Sequence, residues 1–157
     1  MQTKTYNVYT YDELNKKQQQ KVLENLYDIN IDYDWWDFVE CDGSQVKLES
    51  FDYDHGKCSI LFENSAPETA LAILKNHGAT CDTYKTSNAF MIEYNKEQRK
   101  PEDQQEIEAL EREYQKDLSY NYLKLLMSDY EYRTSEAAIV ETIQANEYMF
   151  TENGKID

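Results

Sequence analysis

The chain has 157 residues, with 31 Asp or Glu against 16 Lys or Arg, so its formal net charge is −15. That length predicts a single domain over 1–157, and that charge argues against direct nucleic-acid binding, which needs a basic surface to displace counterions. No apolar run approaches the roughly 20 residues of a membrane span, no secretory signal is expected, and three cysteines cannot all pair with one another, which points to a reducing cytoplasm.

Leu, Ile, Val and Phe total only 31 residues, close to the range of disordered chains. The 14 Tyr, 5 Phe and 2 Trp make up for that shortage. Each buried ring removes roughly 150–250 Å² from water, so the core is expected to be rich in tyrosine.

Taken in order, Thr3–Tyr9 alternates polar and large residues and suits a short strand. Thr10 and Glu13 have capping-box spacing, and a helix is expected from there to about Tyr27, with Leu14, Val22, Leu23, Leu26 and Tyr27 on its apolar face. A short aromatic helix is expected over 33–41. Val46–Tyr53 and Lys57–Glu63 read as two strands joined by a turn at Asp54-His55-Gly56. Ser65, Pro67 and Glu68 mark a helix start, and Gly78 its end. Another helix covers Asp82–Gln98, and Lys100-Pro101 punctuates the chain. The longest helix runs over Glu102–Tyr132, charged in its first half and apolar in its second. Thr134 or Ser135 caps a last helix, Glu147–Thr151 reads as a closing strand, and Asn153-Gly154 as a turn. The sum is an α+β domain: a small, mostly antiparallel sheet of three to four strands packed with about five helices. The first and last segments are expected to be neighbours in one sheet with Val46–Tyr53.

The charge is uneven. Residues 28–63 hold ten acids and two bases, which is more than half of the net charge, and both tryptophans. The run Glu102–Lys116 is balanced by bases and reads as a solvated helix face with pairs such as Glu108–Arg112. The run Asp32-Tyr33-Asp34-Trp35-Trp36-Asp37-Phe38 is the most unusual stretch. On an α-helix Asp34, Asp37 and Glu40 share one face, about 5–6 Å between neighbours. Trp35 and Trp36 point about 100° apart, so one is expected to anchor the helix and the other to face the surface. The candidate binding residues are therefore Asp28, Asp32, Asp34, Trp35, Trp36, Asp37, Glu40, Asp42, Asp52 and Asp54.

Tyr11-Asp12-Glu13-Leu14, the run from Asp32 to Asp37, Phe51-Asp52, and the stretch from Ala145-Asn146-Glu147-Tyr148 through Phe150-Thr151 resemble small acidic hypothetical proteins of bacteriophages and prophages. The resemblance implies a genomic setting, an accessory phage protein in bacterial cytoplasm, and carries over no catalytic residues.

Chemistry is sparse. Asp52, Asp54 and Glu63 occupy positions 1, 3 and 12 of a calcium-loop window, but the glycine required at position 6 is Lys57. Cys41, Cys58, Cys81, His55 and His77 lack zinc spacing; Cys58 with His55 is one pair, not a site. Asp42 with Gln45-Val46-Lys47 only imitates a nuclease pattern. Phosphate loops and nucleophile elbows are absent. No metal or cofactor is expected. The favoured function is a non-enzymatic binding protein, monomer or dimer, that inhibits a host defence protein of CRISPR-effector or restriction type by DNA mimicry. Carboxylates in a row would imitate phosphates and fill the basic groove of that partner. The alternatives are a metal-dependent nuclease or nucleotide hydrolase using Asp34, Asp37, Asp52 and Asp54, and an antitoxin that neutralises a basic toxin.

Overall fold

A computed structural model describes residues 1–98 and 104–157. The fold is α+β, with five α-helices and one two-stranded antiparallel sheet among the described residues. The helices are α1 (Lys16–Asn25), α2 (Ala66–Asn76), α3 (Asp82–Gln98), α4 (Gln104–Arg133) and α5 (Glu136–Ala145); the strands are β1 (Val46–Asp52) and β2 (Lys57–Phe62). The punctuation at Lys100-Pro101 and the helix start at Glu102 lie outside the described residues. The chain divides into two compact units, residues 1–35 with 129–157, and residues 36–128.

In the first unit the expected helix from Thr10 breaks in two. Glu13 Oε2 accepts from the Thr10 amide at 2.8 Å, but what it closes is a 3-10 turn, Tyr11–Glu13. Leu14 then turns extended, because its side chain is drawn into the core (5% exposed). Asn15 restarts the helix. Its Oδ1 accepts from the Gln18 amide and Gln18 Oε1 accepts from the Asn15 amide, a reciprocal cap that satisfies two otherwise unpaired donors. Tyr11, Leu14, Val22, Ile139, Ile143 and Phe150 form the buried cluster.

Neither chain end is a strand. Tyr9 and Phe150 meet in a single antiparallel bridge, Tyr9 N–H to Phe150 O at 2.8 Å and the reverse at 2.7 Å, and Phe150 also bridges Ile156. The ends are neighbours, but the only described sheet pairs β1 with β2, so the count of three to four strands falls to two. The cause is local. The positive φ of Glu147 (54°) and the turn at Gly154 (φ 75°) bend the backbone on both sides of Phe150, so the ladder cannot extend.

The second unit is built around the β1–β2 hairpin and the buried face of α4. Val46 pairs with Phe62 and Asp52 with Lys57, with a bulge at Glu49. Gly56, at φ 60°, closes the turn by donating to Tyr53 O. Both outer edges of the hairpin are covered by side chains at the Leu48–Ile60 pair. Glu40 Oε1 accepts from the Leu48 amide at 3.2 Å. On the other side, Ser119 Oγ accepts from the Ile60 amide at 3.3 Å and Gln115 Nε2 donates to Ile60 O at 2.7 Å. Gln115 and Ser119 are four apart on α4, so one helix face meets one strand residue and caps an edge that would otherwise invite pairing. Tyr114, Leu118, Tyr122 and Leu126 repeat every four residues and are buried. Tyr114 stacks on Phe90 of α3 (centroids 4.2 Å, interplanar angle 9°), but of the 14 tyrosines only Tyr11, Tyr114 and Tyr122 are buried, so the interior is less rich in tyrosine than expected and most of its buried side chains are aliphatic.

Candidate functional site

The residues singled out by the sequence fall in both units. In the first unit, Asp28, Asp32 and Asp34 are exposed on the loop after α1, and Trp35 is buried. Asn30 and Arg133 hold that loop. Asn30 Nδ2 donates to Arg133 O at 3.0 Å, and Thr142 of α5 donates its hydroxyl to Asn30 Oδ1 at 2.6 Å. Arg133 returns two bonds, to Asn30 O at 3.3 Å and to the Tyr33 hydroxyl at 2.7 Å. Its guanidinium lies 5.8 Å from the ring centroids of both Tyr33 and Trp35, while Asp129 accepts from its Nε at 2.8 Å. Trp35 also lies against Tyr130, centroids 5.9 Å apart. Trp35 is therefore an internal anchor.

In the second unit, Trp36 is half-buried, Asp37 and Asp54 are exposed, and Glu40 and Asp52 are exposed but engaged. The aromatic α-helix expected over 33–41 is a five-residue 3-10 turn, Trp35–Val39. Asp34 precedes it and Glu40 follows it, so the three acids do not line one α-helical face. Gly43, at φ 83°, turns the chain away toward β1, and its missing side chain admits Asn76, 2.9 Å from where a Cβ would stand. Asp52 accepts from the His55 amide at 3.1 Å and lies 2.7 Å from its Nδ1. These two contacts, the backbone one first, hold the Asp52 carboxyl below its ordinary pKa.

Asp42 has an internal role that the sequence did not disclose. Its Oδ1 accepts from the Ser44 amide at 3.0 Å, and its Oδ2 accepts from the buried Tyr122 hydroxyl at 2.6 Å. His77, at the end of α2, lies 3.4 Å from the same oxygen and 3.1 Å from the Asp42 carbonyl. A carbonyl can only accept, so Nε2 carries the proton; in the neutral ring Nδ1 then accepts from the Thr83 hydroxyl at 2.6 Å. Burial, followed by the Asp42 carboxylate, pushes the Tyr122 phenol well above its ordinary pKa. Asp42 thus joins the connection before β1 to α2, α3 and α4, and its carboxylate is committed to those contacts. Tyr122 and His77 were missed because the partners are 80 and 35 residues away in the chain, and no local pattern links them.

Among the described residues no three His, Cys, Asp or Glu side chains converge as a set that could hold a metal ion. The Asp52–Glu63 window is a hairpin. Cys58 is partly buried, which pushes its thiol up to about 11 and keeps it protonated at neutral pH. No described helix is long and apolar enough to cross a membrane. Compared with family models, with curated proteins and with solved structures, the chain shows no match.

Proposed function

We propose that the chain is a non-enzymatic binding protein whose exposed acids occupy a basic, nucleic-acid-handling surface of a partner protein. In the phage setting implied by the sequence resemblance, it is an accessory protein acting in bacterial cytoplasm against a host defence protein of CRISPR-effector or restriction type. One observation carries the reading. Within residues 28–54, the side chains of Asp28, Asp32, Asp34, Asp37 and Asp54 stand exposed, with no hydrogen bond or ion pair among the described residues. Carboxylates without internal partners are open to a cation brought from outside. A partner that supplies Lys and Arg gains association rate and specificity from them. The binding residues are accordingly Asp28, Asp32 and Asp34 of the first unit and Asp37, Asp54 and half-buried Trp36 of the second, while Trp35 and Asp42 are held inside their own units.

The test is a charge reversal matched to a control. Affinity capture from a bacterial lysate, followed by mass spectrometry, supplies the partner. Asp34, Asp37 and Asp54 changed together to Lys should reduce its binding about a hundredfold or more, since several charge pairs are lost. Glu106, Glu108 and Glu113 changed together to Lys alter net charge equally and should leave most of the affinity. Equal losses would mean a diffuse field and no localised surface.

A further inference from the structure

A cleft of about 750 Å³ opens between the β1–β2 hairpin and α4, within the second unit. Three cations line it, Lys57 from β2 and Arg112 and Lys116 from α4, and no carboxylate does. This is the reverse of what composition predicts, because acids outnumber bases about two to one along the chain. The volume lies in the usual range of roughly 300–1,000 Å³ for small-molecule sites.

The fold fixes this arrangement. The two bonds from Gln115 and Ser119 to Ile60 lock α4 against β2. Arg112 and Lys116 precede them by three residues each, so they project along the same side of the helix and stand one turn apart, about 5–6 Å between Cβ atoms. Lys57 sits where β2 begins, opposite Asp52, whose carboxylate is already taken up by His55. Glu49, the acid at the bulge, accepts from the Ser59 hydroxyl at 2.6 Å. Neither Lys57, Arg112 nor Lys116 forms an ion pair among the described residues. Cys58, which also lines the cleft, is held as a neutral thiol by its burial and adds no negative charge. The rest of the lining includes the Ser50 hydroxyl and the ring of Tyr120, which is 59% exposed.

We propose that this cleft binds the phosphate groups of a small phosphorylated molecule, with Arg112, Lys116 and Lys57 as its cationic contacts. A guanidinium presents paired N–H donors that match two phosphate oxygens, and two ammonium groups add mobile point charges. Their convergence suits two or more linked phosphates better than one. The exposed Tyr120 ring at the rim, with the Lys124 ammonium 5.2 Å from its centroid, offers a flat base whatever ring surface Lys124 leaves uncovered, so a nucleotide and a plain polyphosphate share the same phosphate contacts and differ only there.

Calorimetric titration of the full chain in low salt, without divalent cations, tests this with three probes: pyrophosphate, ATP and adenosine. Pyrophosphate and ATP should bind and adenosine should not. Arg112→Gln and Lys116→Gln should each weaken both phosphate probes about tenfold, the usual effect of losing one charged hydrogen bond. Lys16→Gln with Lys17→Gln, which lies in the other unit, should change affinity less than twofold. Circular dichroism melting checks that every variant folds, and Arg112→Lys, which keeps the charge without the fork, should recover part of the loss. Tighter binding of ATP than pyrophosphate, removed by Tyr120→Ala, identifies a nucleotide; equal affinities identify the polyphosphate group alone. The proposal is overturned if neither phosphate probe binds at millimolar concentration, if adenosine binds as well as ATP, or if the control lysines matter as much as Arg112 and Lys116.

Discussion

Tyr114 should give the second unit a measurable alkaline instability. Its ring is 2% exposed, stacked on Phe90 and 5.6 Å from Phe62, and its hydroxyl lies 2.7 Å from the buried Ser87 hydroxyl. Burial pushes this phenol up to about 12, against an ordinary value of 10.0. The unfolded chain gives up the proton near pH 10 while the folded chain keeps it. Each pH unit between the two values therefore lowers folding stability by about 1.4 kcal/mol, and stability is intact below pH 10 and lost as pH rises toward 12. The integrated loss approaches about 3 kcal/mol. Tyr114→Phe removes this liability and also removes the hydroxyl contact to Ser87, which costs about 1 kcal/mol at neutral pH. Urea unfolding followed by circular dichroism from pH 8 to 12 should show the two stability curves crossing near pH 11, with the wild type the more stable below and the variant above. Tyr122, raised in the same direction, stays common to both proteins and cancels in the comparison. Parallel curves that never approach each other would refute the reasoning, because they would mean that Tyr114 ionises as readily folded as unfolded.

Trp35→Ala should destabilise the first unit by about 3–5 kcal/mol in chemical denaturation, the usual cost of truncating a buried aromatic, because it empties the site against Tyr130 and Arg133. Trp36→Ala, half-buried, should cost clearly less and should lower partner affinity if Trp36 belongs to the binding surface. Gly154→Ala should cost about 1–2 kcal/mol for a left-handed residue that carries a Cβ, at φ 75°, plus the crowding of a Cβ placed 3.3 Å from Val22 Cγ2; a neutral result in a thermal melt would mean that the turn shifts freely.

The elements that sequence reading located well are those specified by their own neighbours. Ser65 and Ser135 cap α2 and α5 by accepting from the amides three residues on, Glu68 at 3.2 Å and Ala138 at 3.3 Å, and Gly56 sits at the hairpin turn. The α3 bounds agree residue for residue. The errors arose where distant contacts override local preference. Alternation at Thr3–Tyr9 resembles a strand, yet a strand needs a partner over several residues, and Phe150 supplies one. The periodic run from Thr10 resembles a helix, yet burial of Leu14 outweighs the local signal and moves the cap to Asn15.

For the candidate site, the same distinction separates charge counted from charge placed. Net charge is a property of composition, and it marked residues 28–63 as one acidic stretch. Folding sorts those acids by partner. Asp42 turns inward to Tyr122, Ser44 and His77, Glu40 is spent on the edge of β1, and Asp52 holds the hairpin turn through His55. Asp28, Asp32, Asp34, Asp37 and Asp54 remain unpaired among the described residues. The cations are sorted likewise. Lys124 meets Asp82 at 2.8 Å and Arg133 meets Asp129 at 2.8 Å, whereas Lys57, Arg112 and Lys116 converge on a cleft with no carboxylate in its lining. A window of sequence shows Arg112 and Lys116 among many acids and reads them as partners in a solvated face. Only the docking of α4 onto Ile60 places the same two residues in the lining of a cleft that Lys57 also borders. A surplus of one sign therefore describes the far field that a partner meets first, while the groups left unpaired after folding decide which ligand can settle.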